Sequence, residues 1–140
     1  MSAGGVAPGY SGKPLAAKLG VKSGHRVALL GAPPEFPAAL EPLPADVTFV
    51  GPRAGDVDLT LLFSREAAAL ERAFAAAAGR LAPGGMLWVA WPKKAARQAT
   101  DLTEDVVRRI GLAAGLVDVK VCAVTEVWSG LKFLRRRVKP

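Results

Sequence analysis

Short apolar runs alternate with amphipathic segments along most of this chain, and this alternation limits the fold more than any other feature. Four runs are apolar nearly throughout, which is typical of parallel strands covered on both faces. They lie at 26–31, 47–50, 58–63 and 86–91. Strands that alternate with helical segments predict parallel βαβ units with right-handed crossovers.

Four helical segments have recognisable beginnings and ends. The first begins in the segment 11–15, where Ser11 or Gly12 can cap it and Pro14 suits its first turn, and it runs through Leu19 and ends at Gly20. The second is a short helix through Leu40. We predict that Ser64 caps the third helix and that Asp101 caps the fourth. The predicted apolar faces consist of Leu70, Phe74, Ala77 and Leu81 in the third helix, and of Leu102, Val106, Ile110 and Ala114 in the fourth, which Gly115 ends.

Two further apolar runs, 116–124 and 131–137, follow each other directly and predict an antiparallel hairpin. We therefore predict an α/β fold with three layers: a doubly wound, mostly parallel sheet with a C-terminal antiparallel hairpin. Residues 10–138 are expected to form one domain. The small, glycine-rich residues 1–9 are expected to be disordered.

The composition agrees with a small globular domain. A chain of 140 residues can bury a sufficient core without a metal or a disulfide. Cys122 is the only cysteine, which excludes an intrachain disulfide and is compatible with a reducing compartment. The N-terminus lacks the pattern of a signal peptide, and no apolar stretch approaches the roughly 18 residues of a membrane helix. We therefore expect a cytoplasmic protein that does not associate with membranes.

The formal charge of +7 raises the expectation of a polyanionic partner. Arginines at 135–137 and Lys139 follow the last predicted strand, whereas other cations are scattered near the N-terminus, at Lys13, Lys18, Lys22 and Arg26. A charge divided in this way argues against a dedicated nucleic-acid-binding protein. Non-specific binding through a basic tail is still compatible with it.

Three local patterns resemble class I S-adenosylmethionine-dependent methyltransferases. Val27-Ala-Leu-Leu-Gly31 resembles their first strand and glycine loop, and Leu81-Ala-Pro-Gly-Gly-Met-Leu-Trp-Val89 resembles the entry to a central strand. Ala114-Gly115-Leu116 before a hairpin resembles their closing segment. This resemblance implies a minimal methyltransferase-like (Rossmann-like) fold.

A second resemblance covers almost the whole chain and is to a small bacterial family catalogued only as a domain of unknown function. Its motifs are Gly9-Tyr10-Ser11, Pro14-Leu15, Lys18-Leu19-Gly20, Ala32-Pro33-Pro34, Trp91-Pro92-Lys93-Lys94, the segment 101–105 and the segment 127–132. That family implies no activity.

The chain departs from a working methyltransferase at two places. The first loop of that family needs several glycines so that the backbone can approach the cofactor, but here Gly31 is followed by Ala32-Pro33-Pro34. The second strand ends in Val50-Gly51-Pro52-Arg53, without the acidic residue that binds ribose hydroxyls. One βα unit of the family also has no counterpart. We therefore predict no cofactor.

The carboxyl ends of the parallel strands predict a ligand site, because open α/β sheets bind ligands there. The strand ends contribute Pro33, Pro34, Ser64, Trp91, Lys93 and Lys94, and the predicted hairpin turn contributes Trp128, Ser129 and Lys132. Tryptophans stack on planar groups and lysines pair with anions, so we predict an anionic or nucleotide-like small molecule. The alternative is that Trp91 covers the core and that the two lysines form a solvated turn.

No catalytic residue and no metal site are predicted. His25 precedes the first strand, at the edge opposite the predicted site, and Cys122 lies within a strand as a small core residue. One histidine and one cysteine cannot form a zinc site. Glu126 is the only carboxylate that we place near the predicted site.

Three hypotheses for the function follow from these observations. The leading one is a non-catalytic binding or regulatory domain on a degenerate methyltransferase-like fold. The alternatives are an atypical S-adenosylmethionine-dependent methyltransferase or other transferase, and a nucleic-acid-associated basic protein. Whether the chain is an enzyme stays open at this point.

Overall fold

A computed structural model describes residues 13–136 of the chain. The expected disorder of residues 1–9 lies outside the described residues, as do Arg137 and Lys139 of the basic C-terminal cluster. The elements in chain order are α1 (Leu15–Leu19), β1 (Arg26–Leu30), α2 (Phe36–Ala39), β2 (Thr48–Val50), β3 (Val57–Phe63), α3 (Ala67–Gly79), β4 (Leu81–Pro92), a 3₁₀ turn (Lys94–Ala96), α4 (Glu104–Ala113), β5 (Leu116–Ala123) and β6 (Trp128–Arg135).

The six strands form one sheet in the order β2-β1-β3-β4-β6-β5. β2, β1, β3 and β4 are parallel, while β6 runs antiparallel to both β4 and β5. The predicted fold class, a mostly parallel α/β sheet with a C-terminal antiparallel hairpin, is confirmed. The single domain predicted for residues 10–138 stays a prediction.

Alternating side chains of the central strands build a separate core on each face of the sheet. In β4, Val89 and Trp91 join the core beneath α3 and α4, whereas Trp88 and Ala90 join the core beneath α1 and α2. This division follows from the strand period of two, which sends successive side chains to opposite faces. The sheet is therefore the middle layer of three.

The starts of α3 and α4 differ from the prediction. Thr103, and not Asp101, caps α4 by accepting a hydrogen bond at its Oγ1 from the Val106 N–H at 3.2 Å. The carboxylate of Asp101 instead accepts from the N–H of Ala67, the first residue of α3, at 2.8 Å. The Ser64 hydroxyl bonds only to the backbone of Glu66 and does not cap the helix.

The predicted helix faces are also partly wrong. Leu81 is the first residue of β4, because the strand begins before the Pro83-Gly84-Gly85 segment and passes through it with an irregular register against β3. In α4 the fully covered positions are Val107 and Gly111, while Val106 and Ile110 lie at the margin of the core.

The hairpin turn is shorter than predicted, since β6 begins at Trp128. The turn holds its shape through the Thr125 hydroxyl, which accepts from the N–H groups of Val127 and Trp128 at 3.1 Å each. Trp128 and Ser129 are therefore strand residues, and their side chains follow the alternation of the sheet. Within residues 13–136, no helix has the length and apolar character needed to cross a bilayer.

Gly111 sets the distance between α4 and β6, because any Cβ at this position would overlap the ring of Phe133. We expect Gly111→Ala to lower the free energy of unfolding by about 1–3 kcal/mol, since the helix would have to move away from the sheet. Urea unfolding measures the loss. Gly79→Ala is the control, because a Cβ added there meets no atom within 4 Å and the backbone needs no left-handed conformation. Equal stability of Gly111→Ala and the wild type would contradict this packing.

Asp101 should stabilise α3 although it lies next to α4 in the sequence. We expect Asp101→Ala to cost about 1 kcal/mol in thermal or urea unfolding, the usual effect of losing a helix cap. Asp101→Asn keeps an acceptor oxygen for the Ala67 N–H and should retain most of that stability. If the asparagine variant lost as much as the alanine variant, the hydrogen bond would not be the source of the effect.

Candidate functional site

The two tryptophans predicted to share a ligand site lie on opposite faces of the sheet. Trp91 belongs to the core beneath α3 and α4, and Trp128 belongs to the core beneath α1 and α2. They are only 6% and 4% exposed. The predicted stacking pair therefore does not form, because neighbouring strands place these side chains on different faces.

Trp128 is the centre of an aromatic cluster at the carboxyl edge of the sheet. Its ring packs edge-to-face against Phe63 at a centroid distance of 4.9 Å, and Phe63 packs similarly against Phe36 at 4.8 Å. The guanidinium of Arg65 lies 4.8 Å from the centre of the Trp128 ring, in cation–π contact. Trp128 is thus packed between Phe63 and Arg65 and forms a wall.

The wall belongs to a cavity of about 640 Å³ between α1, α2 and the β5–β6 turn. This volume lies within the range of small-molecule sites, roughly 300–1,000 Å³. The cavity is lined by Lys13, Pro14, Leu15, Lys18, Pro33, Glu35, Phe36, Ala39, Glu41, Pro42, Val124, Thr125, Glu126, Val127 and Trp128. It opens at the carboxyl edge of the sheet, on the side of α1 and α2.

Of the nine predicted site residues, Pro33 and Trp128 line this cavity. The other seven are Pro34, Ser64, Trp91, Lys93, Lys94, Ser129 and Lys132, and none is part of its lining. The backbone N–H of Lys93 donates to the Val127 carbonyl at 2.7 Å, which places this lysine beside the hairpin turn. Lys132 lies away from the edge, because it pairs with Trp88 of β4 in the middle of the sheet.

The charge of the cavity differs from the prediction of a lysine-lined site. Its lining contains three glutamates, Glu35, Glu41 and Glu126, against two lysines, Lys13 and Lys18, which leaves a formal charge of −1. Glu126 was expected near the edge, but Glu35 and Glu41 were missed. Their position near the site could have been predicted from the sequence, since they flank the short helix that follows the first strand.

The loop after β1 contributes Pro33 to the lining of the cavity. Gly31 has φ of +70°, and an added Cβ would lie 3.0 Å from the Phe63 carbonyl oxygen, so β1 and β3 end in close contact. The Pro33 carbonyl accepts from the Phe36 N–H at 2.9 Å and starts α2. Neither Pro33 nor Pro34 has an N–H to donate to a ligand.

His25 and Cys122 occupy the positions expected from the sequence. His25 lies at the amino edge, where its Nδ1 accepts from the Lys22 N–H at 3.1 Å and its carbonyl accepts from the Thr48 N–H at 3.0 Å. Cys122 is half-buried, and burial raises the pKa of its thiol, although Lys18 and Lys120 act in the opposite direction. A raised pKa leaves little of the thiolate that would be needed for nucleophilic chemistry.

Comparisons with known proteins find the fold but no family. No protein-family model matches the sequence, and no curated relative is found by sequence. One similar structure is in the complex between the Haloferax volcanii Trm112 methyltransferase activator and a putative methyltransferase, with 14% identity, a TM-score of 0.63, and coverage of 90% of this chain and 89% of that one.

Two further structures are methyltransferases with a similar fold. Magnesium protoporphyrin IX methyltransferase from Synechocystis, with bound S-adenosylmethionine, has 11% identity, a TM-score of 0.58, and coverage of 87% of this chain and 74% of that one. The N-methyltransferase NodS from Bradyrhizobium japonicum has 16% identity, a TM-score of 0.55, and coverage of 85% and 89%. At such identities the likeness shows that this chain has a methyltransferase-like Rossmann fold.

Proposed function

We propose that this chain is a small-molecule-binding domain with a regulatory role, and that it binds its ligand in the cavity between α1, α2 and the β5–β6 turn. The observation that carries the proposal is a cavity of about 640 Å³ with aromatic walls and several charged groups at the ligand-binding edge of an α/β sheet. Membership of the small bacterial family and a cytoplasmic location are part of this proposal.

The lining favours a ligand with an apolar body and at least one cationic group. Phe36 and Trp128 supply apolar walls, and three glutamates outnumber two lysines. A purely anionic ligand would meet repulsion from the glutamates, whereas a zwitterion could pair with both kinds of charge. A nucleotide-like ligand would therefore need a positive group in addition to its phosphates.

The loop after β1 supports a binding role without methyl transfer. A nucleoside cofactor requires backbone N–H groups and close approach at this loop, but two consecutive prolines follow Ala32. The strand β2 ends in Val50-Gly51-Pro52 without a carboxylate for ribose hydroxyls. Both features remove cofactor contacts and leave the neighbouring cavity intact.

An atypical methyltransferase or other transferase is the second candidate. It is favoured by the fold, because similar structures include methyltransferases with bound S-adenosylmethionine or S-adenosylhomocysteine. A cavity with excess negative charge also suits a sulfonium or ammonium group. The third hypothesis, a nucleic-acid-associated protein, depends on a different surface.

Ligand binding to the whole chain separates the first two candidates. The probes are S-adenosylmethionine, S-adenosylhomocysteine, common nucleotides and a set of aromatic amines and amino acids, tested by thermal shift and then by calorimetry. We expect an amine-containing compound to raise Tm and S-adenosylmethionine to leave it unchanged. Stabilisation by S-adenosylmethionine and S-adenosylhomocysteine alone would support the transferase instead.

Variants of the cavity then locate the site. Glu35→Gln combined with Glu126→Gln should weaken binding of the amine probe at least tenfold, because charged hydrogen bonds contribute about 1.5–3 kcal/mol each. Glu71→Gln is the control, since Glu71 is exposed on α3 on the other side of the sheet. Lys93→Ala with Lys94→Ala tests whether the site extends to these lysines. Unchanged affinity in the double glutamine variant would place the ligand elsewhere.

A further inference from the structure

Three lysines from different segments of the chain lie on one side of the sheet. Lys120 of β5 and Lys132 of β6 are direct cross-strand partners, so their side chains project from the same face. This is the α1 face, because Lys132 pairs with Trp88 and Cys122 packs beneath α1. Lys22 follows α1 and acts electrostatically on Lys132. We call Lys22, Lys120 and Lys132 the lysine face.

Within the described part of the chain, no ion pair neutralises the lysine face. Within residues 13–136, all three ion pairs between side chains meet at Arg108, which binds Glu104, Asp105 and Asp118 on the opposite side of the sheet. No carboxylate of this part of the chain forms an ion pair with Lys22, Lys120 or Lys132. Like charges directly opposite each other in a sheet destabilise it.

Lys132 is directly affected by this repulsion between like charges. Burial, together with the charges of Lys120 and Lys22, lowers the pKa of its ammonium group. The ammonium group of Lys132 is kept at this position without a counter-ion from residues 13–136. This indicates that a negatively charged group of a bound partner can pair with it. Proteins commonly carry unfavourable local interactions where a binding surface requires them.

The position of the lysine face indicates a large partner. β5 is the edge strand of the sheet, so this face is accessible from the side of the molecule. None of the three lysines lines the cavity described above; Lys22 and Lys120 are exposed, and Lys132 is half-buried. A ligand that contacts all of them must extend along the edge of the sheet, as a polymer does.

We propose that the lysine face binds the phosphate backbone of duplex nucleic acid without reading its sequence. Several cations on one face are the usual means of binding phosphodiester groups. The aromatic ring nearest to them in the sheet, Trp88, is fully buried, so it cannot stack on the bases of a single strand. A membrane surface would need exposed apolar side chains on the same face, but Val121 lies in register with Leu131 and therefore faces the α4 side.

The third hypothesis from the sequence, a nucleic-acid-associated basic protein, thus has a defined candidate binding surface. The sequence shows the basic residues divided between its two ends, but folding places Lys120 beside Lys132, with Lys22 near enough to act electrostatically on Lys132. This inference does not depend on the proposed function, because no residue of the lysine face lines the cavity. Either one can fail while the other holds.

The test is the affinity of the full chain for a fluorescein-labelled DNA duplex, measured by anisotropy over a range of salt concentrations. Three phosphate contacts predict a slope of about −3 for log K against log salt. Lys120→Gln with Lys132→Gln should reduce the magnitude of this slope by about 2. The control is Arg72→Gln with Arg109→Gln, which removes the same charge from exposed positions on α3 and α4 and should change the slope by less than about 0.5.

A stability measurement separates binding from folding. The double glutamine variant should have a Tm equal to or above that of the wild type, because a repulsive pair is removed. Lys22→Gln, which lies outside the strands, is a second variant and should reduce the magnitude of the slope by about 1. Equal loss of affinity in the lysine and arginine double variants would overturn the proposal, since net charge alone would then explain binding.

Two other probes test the choice of partner. Single-stranded DNA of the same length should bind more weakly than the duplex, and vesicles containing phosphatidylserine should not compete for it. Binding to such vesicles with loss in the Lys120 and Lys132 variant, and no binding to the duplex, would assign the lysine face to a membrane surface and refute the proposal.

Discussion

The hydrogen bond between the Trp88 indole N–H and the Leu19 carbonyl connects the helical layer of α1 to the centre of the sheet. It measures 2.8 Å and lies in the interior, where both groups would otherwise lose their hydrogen bonds to water. Gly130 of β6 leaves the space that the indole ring needs, because a Cβ there would lie 3.2 Å from Trp88 and 2.7 Å from Val124. Since α1 is only one turn and a half long, this bond and the packing of Leu19 hold it in place.

Both surfaces that we propose to bind ligands depend on this position of α1. The helix α1 supplies Leu15 and Lys18 to the cavity, and the segment after it carries Lys22 to the lysine face. One short helix therefore places charged groups at two different sites. The strand alternation keeps these sites on the same side of the sheet, while the large apolar core beneath α3 and α4 occupies the other side.

The fold could be predicted from the sequence because local residue patterns mark most of its strands and helices. Apolar runs ended by glycine or by turn residues mark β1, β3 and β4, and the final hairpin follows from two adjacent runs. The ligand site was less predictable because it depends on strand register. Trp91 and Trp128 are neighbours at the ends of two adjacent strands. Their side chains point to opposite faces, but this can be predicted only when the pairing register of the two strands is known. In the same way, the proximity of Lys22 to Lys132 arises only from the packing of α1 on the sheet.

The capping carboxylate of Asp101 has a consequence for how the molecule opens. The segment that leads into α4 holds the first turn of α3 through Asp101, and the Thr100 hydroxyl donates to the Arg65 carbonyl at 2.6 Å just before that turn. Loss of structure in the segment before α4 would release the Ala67 N–H and the Arg65 carbonyl at the start of α3. The two helices on this face should therefore exchange their amide protons as one cooperative unit, although the sequence separates them by a complete strand.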